Sequence, residues 1–173
     1  MDNILNNYLR RQEKEGHALA AASDIFSLSP VAGEPPWRYR LHFDCRGLVR
    51  VDGRIEEAGH FEVGVTFGPD HLRVAPGTPE VLALLQPESI FNANARFPFV
   101  CIGEIKPGTG IVEIAHRVFE VLTYQRFTLL EWDALNADAC AWSRNNMARF
   151  PIDSRPLRRP PPLPLADPGE ARA

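Results

Sequence analysis

WRYRLHF, residues 37–43, alternates without a break: Trp37, Tyr39, Leu41 and Phe43 are apolar, and Arg38, Arg40 and His42 lie between them. A strand with one buried face has this period of two, because successive side chains leave opposite sides of the pleat. Residues 60–67, HFEVGVTF, repeat the pattern with Phe61, Val63, Val65 and Phe67 on one face. Asp52-Gly53 between the two marks a turn. Residues 24–29, DIFSLS, alternate more weakly, and 71–75 offer a shorter strand with Leu72 and Val74, closed by Pro76 and Pro79. Short strands separated by turn signals predict a four-stranded antiparallel meander with one covered face.

Helices flank these strands. Residues 2–15 carry Ile4, Leu5, Tyr8 and Leu9 on one side, and the basic Arg10, Arg11 and Lys14 follow; this reads as a short amphipathic helix. Gly16 offers a stop, although the Ala-rich run 18–22 could prolong the helix. Residues 110–125 place Ile111, Ile114, Ala115, Val118, Phe119 and Leu122 at helical spacing, with Thr109 as a candidate cap. A further helix begins at Asn136, with Asp138 in its first turn and Ala139, Cys140 and Met147 as its inward residues. Helix, meander, irregular segment and helices in this order give an α+β domain over residues 1–150. Residues 151–173 end in a run rich in Pro and Arg, for which an extended or disordered tail is expected.

Composition narrows the function classes. The chain has 173 residues, enough for one domain with a core, and a formal net charge of -3, which speaks against nucleic acid. No apolar run approaches the roughly 18–20 residues that span a bilayer. The N-terminus lacks the basic and then apolar order of a secretory signal, so a cytoplasmic protein is expected. Three cysteines at long spacings argue against a disulfide framework, and no Cys or His pair sits at zinc-ligand spacing, so neither metal nor cofactor is expected.

Residues 86–108 are long and weakly periodic, and segments of this kind inside a domain are often functional. Within them, PESIFNANARFPFVCIGEIKPGTG (87–110) places Cys101 between Val100 and Ile102. Taken alone, Cys101 is either a buried structural thiol or a nucleophile. A hydrolase would need a positioned base, and His71 and His116 sit in no recognisable motif. Trp37 and Trp132 read as packing residues.

The stretch from Pro87 to Ala141 resembles the catalytic half of ubiquitin-conjugating (E2) enzymes. Ile90-Phe91-Asn92-Ala93-Asn94 occupies the region of that family's His-Pro-Asn tripeptide, Val100-Cys101-Ile102-Gly103 that of its catalytic cysteine, and Asp133-Ala134-Leu135-Asn136-Ala137-Asp138-Ala139 that of a later conserved segment. The upstream helix, meander and Pro76/Pro79 follow the family's order. Two departures stand out: the tripeptide lacks its His and Pro, and the loop from Gly103 to Gly108 is short, which puts dependence on an E3 ligase in doubt. Both suit compact E2-like proteins of bacterial operons, some of them antiphage, that also encode an E1-like enzyme and a ubiquitin-like protein.

The resemblance implies a UBC-like fold and a transferase that holds a ubiquitin-like protein as a Cys101 thioester for delivery to a protein target. It makes Asn94, or else Asn92, the oxyanion donor or loop organiser, and Asp133 the group that orients the incoming amine. Arg10, Arg11 and Lys14 become the E1-docking face. Two other readings compete: a catalytically inactive E2-variant-like adaptor, and an unrelated α+β interaction protein with a buried cysteine.

Overall fold

The computed structural model describes residues 3–31 and 37–160. Its elements run α1 (Asn3–Ala21), β1 (Phe26–Pro30), β2 (Arg38–Phe43), β3 (Gly47–Val51), β4 (Arg54–Ala58), β5 (Phe61–Thr66), α2 (Thr78–Val81), β6 (Leu82–Gln86), β7 (Ala95–Arg96), β8 (Phe99–Val100), α3 (Ile111–Leu122) and α4 (Ala137–Asn146), with 3-10 turns at Glu131–Asp133 and Met147–Arg149. The result is a mixed α/β domain with an N-terminal helix and an antiparallel sheet, and no described helix is long and apolar enough to cross a membrane.

Four strands form the main sheet in the order β1-β2-β5-β6, every pair antiparallel. The alternation that predicted β2 and β5 is the alternation that buries them. Tyr39, Leu41, Phe43, Phe61, Val63, Val65 and Phe67 are all at most 2% exposed. They meet α1 and α3 in the larger of two hydrophobic clusters. The fourth strand differs from expectation. It is β6 (Leu82–Gln86), whereas residues 71–75 are turns. Turns close this stretch: the backbone N–H of His71 donates to Gly68 O at 3.2 Å and those of Arg73 and Val74 to Asp70 O, while the His71 ring meets Phe67 edge-on and Tyr8 at a tilt.

Helix α1 runs through Gly16 to Ala21. Its inward residues are Leu5, Tyr8, Leu9, Gln12, Gly16 and Leu19, at the three- and four-residue spacing of one helical face. Ile4, expected inside, is 70% exposed. Gly16 is there for space: a Cβ would stand 2.8 Å from Leu28 Cδ1. Gln12 is 1% exposed, and its Oε1 accepts from the Ile111 N–H at 2.8 Å, so the first turn of α3 is capped from another helix. Thr109 does not cap α3; its hydroxyl closes a turn on Lys106.

The hairpin β3–β4 stands apart from the main sheet, inserted between β2 and β5. Its turn holds Asp52 at φ 47° and Gly53 at φ 77°, the two positive values of a type I′ turn. Strand β3 also supports the segment after β6: Phe91 N–H donates to Leu48 O at 2.8 Å, Arg50 N–H to Ser89 O at 2.8 Å, and Val49 bridges to Ile90. Leu48, Phe91, Tyr124 and Ala139 form the second cluster, edged by Ile55, Phe127, Trp142 and Phe150.

Residues 151–160 carry no helix or strand but are tied down. Leu157 is 2% exposed in the larger cluster, Arg155 Nη2 donates to Asp44 O at 2.9 Å, and Arg159 N–H donates to Ala22 O at 2.8 Å. Residues up to 160 thus pack against the rest of the described chain. The rest of the expected tail, 161–173, lies outside the described residues.

Candidate functional site

Strands β7 and β8 form a two-stranded hairpin with Ala95 opposite Val100 and Arg96 opposite Phe99. One further step in the same register sets Asn94 opposite Cys101, and the Cys101 N–H donates to Asn94 O at 2.8 Å. Ala95 and Val100 point into the core at 0% and 3% exposure. Asn94, in the turn that leads into β7, and Cys101, just past β8, are both partly exposed.

The two asparagines differ in what their amides are doing. Asn92 is 1% exposed; its Oδ1 accepts from Asn94 N–H at 2.8 Å and its Nδ2 donates to Val121 O at 2.8 Å. Both ends of that amide are consumed in holding the loop against the end of α3. Asn94 is half-buried, and its Oδ1 accepts from the Thr128 N–H at 2.8 Å. An N–H can only donate, so this bond fixes which amide atom faces Thr128 and turns the Nδ2 donors elsewhere.

The segment after α3 closes over the same loop. Ala93 O accepts from Leu135 N–H at 2.9 Å and Asn136 N–H at 3.3 Å. Tyr124, at φ 58°, directs its hydroxyl to Phe91 O. Asp133 ends the exposed 3-10 turn of this segment, two residues before the Ala93 contacts. Asn136 caps α4 as expected, its Oδ1 accepting from Ala139 N–H at 3.1 Å; Met147, expected inside, is 53% exposed. Trp132 does not pack but stands 84% exposed beside Leu130 at 50%.

The three cysteines separate by environment. Cys101 is a half-buried free thiol, whereas Cys45 and Cys140 are buried. Burial pushes the Cys45 thiol up to about 12, with the Asp153 carboxylate adding to the effect. Cys140 Sγ lies 3.7 Å from the O of Thr128, the residue whose N–H holds Asn94. Arg10, Arg11 and Lys14 are exposed on α1, where Arg11 pairs with Glu15 at 3.7 Å and covers the Tyr8 ring at 5.6 Å.

Sequence reasoning passed over Arg126. A Cβ on Gly103, two residues past Cys101, would meet the Arg126 guanidinium at 2.8 Å, and Gly103 has φ 84°. The positive φ favours glycine there; the Arg126 guanidinium ends a flexible side chain that could give way. The only sequence signal was the Cys-Ile-Gly spacing itself.

The class that these observations define is a mixed α/β domain carrying an accessible cysteine on a short hairpin, beside an oriented carboxamide. No family model matches the chain, and no curated protein matches it. Among solved structures it is similar to human ubiquitin-conjugating enzyme E2 G1, at 20% identity and a TM-score of 0.48, over 66% of this chain and 90% of that one.

Proposed function

We propose that this chain is an E2-like conjugating enzyme of UBC-like fold, which takes a ubiquitin-like protein from an E1-like enzyme as a thioester on Cys101 and passes it to an amine of a protein target. The observation that carries the reading is the pairing of a half-buried, free Cys101 with Asn94 in the next step of the β7–β8 register. A wholly buried sulfur would have left only a scaffold role.

In the first step the Cys101 thiolate attacks the thioester carbonyl of the E1-bound C-terminus. The new C–S bond forms as the old one breaks, and the E1 thiolate leaves. One thioester replaces another, so little catalytic assistance is needed. In the second step a neutral amine attacks the Cys101 thioester, charge grows on the carbonyl oxygen, and Cys101 departs as thiolate.

Asn94 is the donor proposed for that oxygen. Its Oδ1 is held by Thr128 N–H, so Nδ2 is oriented before the charge develops, which is what makes such a donor effective. Asn92 is proposed as the loop organiser, since both its amide atoms are already engaged. Asp133, exposed at the edge of the overlying turn, is proposed to orient the amine and help remove its proton. Arg10, Arg11 and Lys14 are the proposed E1-docking face, which their exposure permits. A bacterial conjugation operon with a defence role, acting in the cytoplasm, is the setting proposed from the sequence departures.

The test mixes the protein with an E1-like enzyme, a ubiquitin-like protein and ATP. A thiol-sensitive adduct is expected, absent in Cys101→Ala and replaced by a longer-lived oxyester in Cys101→Ser. An adduct that survives Cys101→Ala sinks the assignment.

A further inference from the structure

On the solvent face of the sheet, opposite the helices, the pairing of β2 with β5 sets His42 directly across from Glu62. His60 enters from the residue before β5, and Asp44 follows the end of β2. Glu62 Oε1 lies 3.3 Å from His42 Nδ1 and 3.4 Å from His60 Nε2. The three donor atoms all fall within 4.8 Å of one another. We propose that His42 Nδ1, His60 Nε2 and Glu62 Oε1 are the three protein ligands of a zinc site, with a fourth position open to water.

The distances carry the choice of ion. Zinc binds imidazole nitrogen and carboxylate oxygen at about 2.0–2.1 Å, and tetrahedral angles then space the ligand atoms by about 3.3 Å. Two of the three edges already have that length. The third, between the two imidazoles, would have to close on binding the ion. Two imidazoles and one carboxylate suit zinc, whereas calcium and magnesium prefer all-oxygen sets.

The surroundings complete the site. Asp44 Oδ1 is 2.8 Å from His60 Nδ1, a carboxylate that would keep the proton on that nitrogen when an ion takes Nε2. Arg40 Nε lies 3.8 Å from Glu62 Oε2, the carboxylate oxygen that the proposed ion does not use. The Glu62 side chain is 13% exposed, His42 24% and His60 50%; two of the ligands stand on paired strands, the third on the residue that leads into β5, and the mouth is open to solvent. A bound ion would clip β2, β5 and both their connecting loops to one point. This site shares no residue with the Cys101 region.

The experiment uses untagged full-length protein, with Cys101→Ala alongside so that thiol binding is recognised. Equilibrium dialysis against zinc, followed by elemental analysis, should find one ion per chain in both. Cobalt(II) should give the visible bands of a tetrahedral nitrogen and oxygen site, without sulfur charge transfer. His42→Gln and Glu62→Gln should lose the ion, and Asp44→Asn should weaken binding about 10- to 100-fold. Circular dichroism checks that each variant is folded; if Glu62→Gln is not, His60→Gln at its half-exposed position replaces it. Zinc retained undiminished by the folded ligand variants, or none retained by the wild type, overturns the proposal.

Discussion

The two hydrophobic clusters are built from different kinds of sequence. The larger joins α1, the four-stranded sheet and α3 from elements with clear periodicity. The smaller gathers Leu48, Phe91, Tyr124 and Ala139 from a hairpin, a loop, a helix end and a second helix. The loop from Ile90 to Asn94 runs along this smaller cluster, and Cys101 lies one ladder step beyond β8. Regular elements thus make the platform, and irregular chain presents the chemistry, held by individual hydrogen bonds rather than by repeated packing.

That contrast predicts separable losses. Phe61 is fully buried in the sheet, and Phe61→Ala should cost about 3–5 kcal/mol of stability, read as a lower urea midpoint. The residual folded fraction should still charge Cys101. Asn94→Ala should do the reverse, slowing amine attack on a preformed thioester about 100- to 1,000-fold, equivalent to about 2.7–4 kcal/mol, while thioester formation persists. Single-turnover discharge to free lysine measures this; an unchanged rate removes Asn94 from the site.

Gln12→Ala sharpens the contrast from the other side. It leaves the buried Ile111 N–H unpaired and should cost about 1–3 kcal/mol with no change in discharge rate per folded molecule. The smallest effect is electrostatic. The Arg155 guanidinium, with the Arg155 and Arg46 backbone N–H groups, holds the Asp153 carboxyl down to about 2 from an ordinary 3.8. The folded state therefore binds this proton less readily than the unfolded chain. Its stabilisation is complete above the ordinary value and is lost as pH falls through about 2. Because Arg155 is half exposed, the contribution is about 1–2 kcal/mol. Denaturation of wild type and Asp153→Asn should show a gap near neutral pH that closes in acid.

Legibility in the sequence followed the same division. Phe61, Val63, Val65 and Phe67 announced their strand because a half-buried strand must alternate. Ile111 through Leu122 announced a helix by its inward stripe. LALLQ in β6 was missed: its apolar run lacks alternation and merges into the irregular segment that follows. The hairpin β3–β4 showed only its Asp52-Gly53 turn. Gln12 and Asn92 left no local trace, because each is buried by a partner far along the chain, Ile111 for one and Val121 for the other. The cysteine and asparagines of the candidate site were visible as residues. Their backbone hydrogen bond was not, since it extends a two-residue ladder too short to give a pattern.

Arg159 draws one more consequence from the fold. Its side chain donates to Ala21 O at 2.9 Å and lies 3.3 Å from Asp24, while its backbone holds Ala22. A cation from the far end of the chain thus quenches the negative pole of the first helix. A cut placed before Arg159 would leave the C-terminus of that helix without its cation.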